Sequence, residues 1–287
     1  MMEWYYGLAL FLLTLPAIGL LLGFDRKLTA RLQNRVGPPL WQPILDLAKL
    51  FGKEGLFMNK GQVVFALMGL LLQASAMGLL CMGGDLLVIF FLSGAGSFML
   101  VLGAFSALSP FSHLGAHREL LQIVAYEPVF FLAIIAVGWY EGTFMVDELE
   151  GNLLDVLPLV VLALVPVLMI KMQKSPLDLA TAHQELVAGP YVEYSGPYLG
   201  VTKLAHWFEL AILLGFISLF YTNDDAVWTV LGRLLLIIGL VVLVAIIDNT
   251  TARLTRGAVV LTTLSIGVVL VGANLVILTF YGLGGMA

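Results

Sequence analysis

Residues 120–140 read LLQIVAYEPVFFLAIIAVGWY, and this stretch decides the fold. At about 1.5 Å per helical residue it is about 30 Å long, the thickness of a bilayer's hydrocarbon core. Its one charged residue is Glu127, placed immediately before Pro128. Working outward, similar apolar runs occupy 4–24, 63–82, 86–108, 153–172, 201–221, 227–247 and 258–281. The chain is therefore read as an all-α polytopic helix bundle with about eight spans.

Composition agrees. The 287 residues are 60% apolar and only 11% charged, whereas a soluble domain carries about a quarter charged residues. The single cysteine, Cys81, excludes an internal disulfide and a cysteine-held zinc or iron–sulfur site. No cleavable signal peptide is expected, because the first apolar run follows no basic segment and leads into a basic loop. No internal repeat or low-complexity tract stands out, so residues 1–287 are read as one membrane domain.

The charges give the spans an orientation. Basic residues fall in alternate loops: Arg26, Lys27, Arg31, Arg35, Lys49, Lys53 and Lys60; then Arg118; then Lys171, Lys174 and Lys203; then Arg253 and Arg256. The intervening loops carry acids: Asp85; Glu141, Asp147, Glu148 and Glu150; Asp224 and Asp225. The positive-inside rule then places both termini outside and the long loops 25–62 and 173–200 in the cytoplasm.

Within loop 25–62, Gly37-Pro38-Pro39 breaks the chain. Beyond it Ile44, Leu47, Ala48 and Phe51 recur at helical spacing opposite Asp46, Lys49 and Lys53, an amphipathic helix suited to an interface. Arg31, Gln33, Asn34 and Arg35 before the break have the look of a docking turn. Loop 173–200 has a helix-start pattern at Ser175, Pro176 and Asp178, and a stop at Gly189-Pro190. On one helix, Asp178 and Glu185 share a face about 10 Å apart. His183 lies on another face, and Glu193 follows in the turn.

Ionisable groups inside the spans are the candidate functional residues, since an intramembrane charge is costly unless neutral, paired or hydrated. Glu127 leads, beside a proline that opens the helix. Glu119 lies about two turns earlier. Glu209, Arg233 and Asp248 lie in or at the end of later spans. The functional reading is a proton or ion relay; the structural one is a static ion pair such as Arg233 with Glu209. His113 and His117 have the spacing of a helical metal pair, but no third ligand is near, so no metal is expected. Nothing resembles a phosphate loop, a nucleophile triad or a nucleic-acid-binding surface.

Three stretches carry a family resemblance. ARLQNRVGPPLWQPILDLAKLFGKE (30–54), RELLQIVAYEP (118–128) and SPLDLATAHQELVAGPYVEYSG (175–196) resemble, in order, segments of the H subunit of respiratory complex I, also called NADH dehydrogenase subunit one. Quinone-reducing members usually carry glutamates where this chain has Thr181 and His183. The phrase ATAHQELVAGPYVEYSGPY and HWFEL (206–210) are instead similar to the homologous anchor subunit of membrane-bound energy-converting NiFe hydrogenases, of the Ech and formate hydrogenlyase types.

The resemblance implies a multi-pass subunit of a bacterial or archaeal cell membrane. It would join a peripheral arm, with NiFe large and small subunits and iron–sulfur clusters, to antiporter-like membrane subunits, and receive electrons from ferredoxin only indirectly. This chain would hold no cofactor and no catalytic residue. Matching positions make Glu127, Asp178, Glu185, Glu193 and Glu209 relay candidates, with Glu119, His183 and Arg233 beside them. Arg31, Arg35 and Arg118 would dock the arm. A quinone-reducing complex and a ferredoxin-linked sulfane reductase are the alternatives within the family. A stand-alone secondary transporter is the alternative outside it.

Overall fold

Among the described residues, seven of the apolar runs fold into helices long and apolar enough to cross a bilayer. The computed structural model describes residues 4–56, 59–149, 151–181 and 183–280. The long helices are α1 (Trp4–Leu32), α3 (Lys60–Cys81), α4 (Leu86–Phe105), α5 (Pro110–Glu141), α9 (Gly196–Ser218), α10 (Ala226–Thr250) and α11 (Arg256–Phe280). Their ends follow local chemistry. Asp85 caps α4 by accepting from the backbone N–H of Leu87 and Val88. Asn59 caps α3 through Gly61. Gly142, at φ 75°, closes α5 in the left-handed conformation that a side chain resists.

The eighth run is different. It is split into α6 (Leu153–Val156) and α7 (Pro158–Lys171), only 14 residues long. It nevertheless joins the two ends of the bundle. Leu154 N–H donates to Phe220 O at the outer end, while Lys174, just past α7, pairs with Asp25 and Asp248 at the inner end. A short, broken helix is tolerated because protein surrounds it: α5, α9, α10 and α11 all pack on α7, and every residue from Ala163 to Lys171 is buried. Asn274 of α11 repairs the break. Its Oδ1 accepts from Leu159 N–H at 3.0 Å and its Nδ2 donates to Val156 O at 2.9 Å. Asn274→Leu should leave both backbone groups buried and unpaired, at about 1–3 kcal/mol each, read as a lowered melting temperature with the helix content kept.

The ends of the bundle sort by charge. Leu86 and Val146 tie turn 83–86 to the acidic segment 144–147, through Phe144 O and Gly84 O. At the other end, Gln33 meets Asn249, Lys174 meets Asp25 and Asp248, and Arg253 meets Asp178. By the positive-inside rule this second end is cytoplasmic. Exposed apolar side chains such as Leu13, Leu235 and Val269 face outward along α1, α10 and α11, as lipid contact requires.

Three local expectations need correction. Residues 109–119 are not a loop: α5 starts at Pro110 and extends beyond the bilayer core. Residues 25–32 continue α1. Among the described residues the expected helix from Ser175 is absent; residues 175–181 run as turns, α8 (His183–Leu186) follows, and a 3-10 turn lies at Gly189–Tyr191. The amphipathic helix of the first loop is present as α2 (Gln42–Phe51), but it lies on α1 and α9 as well as at the surface.

Candidate functional site

α7 ends on Lys171, and the helices around it keep that lysine 7% exposed. Its ammonium sits 3.7 Å from the centroid of the Tyr126 ring of α5 and pairs with Glu209 of α9. Glu209 also accepts from the Ser97 hydroxyl of α4, and its other oxygen lies 3.2 Å from His206 Nδ1. Desolvating two such charges costs several kcal/mol each, so the pair persists only because each has further partners. Removing one partner is therefore far costlier than removing both.

The polar contacts continue into the bundle. Ser97 is tied to Gln73 of α3, which donates to Ser93 O at 2.9 Å and to Ser97 Oγ at 3.3 Å. Three small cavities meet at Glu209. One is lined by Gln73, Ser97 and His206. A second reaches Glu127 past Ser93, Gly94 and Lys171. A third reaches Glu119, Gln122, Asp178 and Thr181. The Glu127 carboxylate lies across Gly94: a β-carbon there would come within 2.9 Å of Oε1. A side chain at 94 would therefore make the end of Glu127 shift.

Toward the cytoplasm a cavity of about 400 Å³ is lined by Asp25, Lys171, Lys174, Tyr191, Lys203 and His206, among others. Lys171 and His206 thus belong both to this cavity and to the Glu209 cluster. Lys174, half-buried, forms a second knot, 2.9 Å from the buried Asp25 and 3.2 Å from Asp248, with Thr29 Oγ1 at 3.3 Å. Asp248 also accepts from Ser175 N–H at 3.0 Å.

Side chains of α5 hold residues 177–180 out of a helix. Gln122 donates to Leu177 O at 2.7 Å and accepts from Ala180 N–H at 3.2 Å. Arg118 donates to Leu179 O at 3.3 Å. Thr181 donates to Asp178 Oδ1 at 2.7 Å. Backbone groups bound this way are not available to an i→i−4 ladder. Arg118 pairs with the exposed Glu185 at 2.5 Å. The hydrogen bond from Arg118 and then its charge hold the Glu185 carboxyl below its ordinary value of 4.5. A depressed carboxyl contributes stability that is complete above the ordinary value and lost as pH falls through the folded one. Protease resistance of this loop should therefore fall as pH drops below about 4.5, and Glu185→Gln should flatten that dependence.

The other candidates are scattered. Arg233 lies at the outer end, donating from Nε to Tyr221 O at 2.9 Å, so Glu209 takes Lys171 as its partner instead. Glu193 is half-buried in the turn before α9. The side chain of His183 lies outside the described residues. Arg31 and Arg35 are exposed at the cytoplasmic end, Arg35 bonded to Gln33, whereas Arg118 is buried and bonded within the chain. His113 and His117 both pack edge-on against Phe105. Among the described residues no three His, Cys, Asp or Glu gather as a metal site. Sequence reasoning misses Lys171, Ser97, Gln73 and the Asp25–Lys174 pair. A signal for Lys171 exists: it closes an otherwise unbroken apolar helix, where a solvated loop lysine is not expected.

Comparison with known proteins adds a relationship. The family described as NADH dehydrogenase matches residues 6–279. Formate hydrogenlyase subunit 4 of Escherichia coli K12 is 32% identical over 82% of this chain and 86% of its own length. Hydrogenase-4 component C of the same organism is 28% identical over 86% of this chain and 87% of its own. A chain in the solved structure of the membrane-bound sulfane sulfur reductase, an archaeal respiratory membrane complex, superposes with a TM-score of 0.83 at 24% identity. That match covers 95% of this chain and 98% of that one, and the likeness is one of fold.

Proposed function

The chain belongs to the NADH dehydrogenase subunit 1 family, and from that premise we propose that it anchors and couples a hydrogen-evolving membrane complex. In this reading, partner subunits oxidise reduced ferredoxin and carry the NiFe centre and iron–sulfur clusters. This chain contributes the path by which redox events at the cytoplasmic end move protons or sodium ions in the cell membrane. The identity to formate hydrogenlyase subunit 4 supports the hydrogenase branch.

The observation that carries the coupling role is the buried Lys171–Glu209 pair. Lys171 faces the cytoplasmic cavity and also, with Glu209, the cavity that ends at Glu127. A swing of Lys171 toward the cytoplasmic cavity leaves Glu209 without its counter-charge, and a proton becomes its best partner. The return of Lys171 releases that proton, with Ser97 and His206 as adjacent hydrogen-bonding groups and Glu127 as the next carboxylate inward. Arg31 and Arg35, both exposed at or just past the end of α1, would receive the peripheral arm.

The test is to purify the intact complex and assay hydrogen formation from reduced ferredoxin, together with nickel content. Nickel and hydrogen evolution are expected. A nickel-free complex that instead turns over with a quinone or with sulfur would overturn the hydrogenase assignment and leave the coupling role standing.

A further inference from the structure

A second basic cavity shares only Asp178 with the cavities that meet at Glu209. Its volume is about 270 Å³, and it is lined by Arg118, Arg253 and Arg256 together with Asp178 and Glu185. Three guanidinium groups face two carboxylates, so one positive charge is left over. The pairings inside are incomplete. Arg253 reaches Asp178 only at 3.5 Å. Arg256 enters no ion pair among the described residues. Arg118 is 8% exposed, and its Nε is buried without a hydrogen-bond partner. Arg256 is also the first residue of the 25-residue α11, so the unpaired N–H groups of that helix begin at the same place.

We propose that this cavity binds the phosphate headgroup of an anionic phospholipid from the cytoplasmic leaflet. A guanidinium grips phosphate in bidentate fashion, and basic pockets between spans on the cytoplasmic side suit acidic headgroups. The surroundings favour a lipid over a protein carboxylate. α5 and α11 pack together, and the residues they expose just inward of the arginines are apolar: Leu121 and Val124 on α5, Leu261 on α11. Acyl chains below a bound headgroup would lie on such side chains. The site does not depend on which electron acceptor the complex uses.

The test uses the intact complex, delipidated and then given phosphatidylcholine vesicles with or without phosphatidylglycerol. Lipid retained after repurification is quantified by mass spectrometry. The wild-type complex should retain phosphatidylglycerol selectively, and Arg253→Ala/Arg256→Ala should weaken that retention at least about tenfold with phosphatidylcholine unchanged. Arg256→Gln alone removes a side chain that holds no ion pair among the described residues, so it tests the site even if the double variant fails to fold; a weakening of about threefold is expected. Wild-type retention in Arg256→Gln would overturn the proposal. So would displacement of the lipid by millimolar inorganic phosphate without loss of stability, which would make the occupant a free anion. Loss of the peripheral arm with lipid retention intact would likewise overturn it, assigning the cavity to a partner's carboxylate.

Discussion

Replacing Lys171 with methionine should abolish coupled turnover and destabilise the membrane subunit by about 3–5 kcal/mol, because Glu209 is left as an uncompensated buried charge. Glu209 has Ser97 and His206 as remaining partners, and neither carries a permanent positive charge. The double variant Lys171→Met/Glu209→Gln separates structure from function. Removing both charges should recover most of the lost stability, since a buried pair contributes little net stability against neutral replacements. It should recover none of the ion movement. If the double variant regained wild-type pumping, the pair would be a structural device alone. Thermal unfolding of the purified complex and turnover in membrane vesicles give the two readouts.

Glu127→Gln carries the second large effect. Its carboxylate lies across Gly94, in the cavity that also holds Lys171 and Glu209. Glutamine matches it in shape and cannot exchange a proton, so the complex should assemble normally while pumping falls at least about tenfold. Electron transfer should slow or continue uncoupled. Wild-type turnover combined with wild-type pumping would remove Glu127 from the path. Aspartate at 127 keeps the carboxylic acid but shortens its reach toward the cavity, so an intermediate result separates proton exchange from positioning.

Much of the fold is legible in the amino-acid sequence. Hydropathy sets the spans, and the separation of Arg and Lys from Asp and Glu sets the two ends, because both signals are local. Glu127 stands out for the same reason: one charge in a long apolar run. The amphipathic spacing of Ile44, Leu47 and Phe51 gives α2. The features that sequence hides depend on tertiary contacts. Residues 175–181 carry good helix-start chemistry, yet Gln122 and Arg118 from α5 hold their backbone in turns. The partner of Glu209 is equally hidden. Arg233 and Lys171 are both available by sequence, and only the path of α7 decides between them. That path brings the end of α7 to Glu209, while Arg233 is held at Tyr221 on the far side. The split in the eighth run is unreadable because its repair comes from Asn274, more than a hundred residues away.

If the Lys171–Glu209 pair converts events at the cytoplasmic cavity into ion movement, the most direct measurement is the number of ions taken up per electron transferred. Proteoliposomes carrying the Glu209→Gln complex provide it, with both quantities followed on the same sample. A ratio near zero is expected at every measurable rate of electron transfer. A wild-type ratio, at any rate of electron transfer, would contradict the coupling role of the pair.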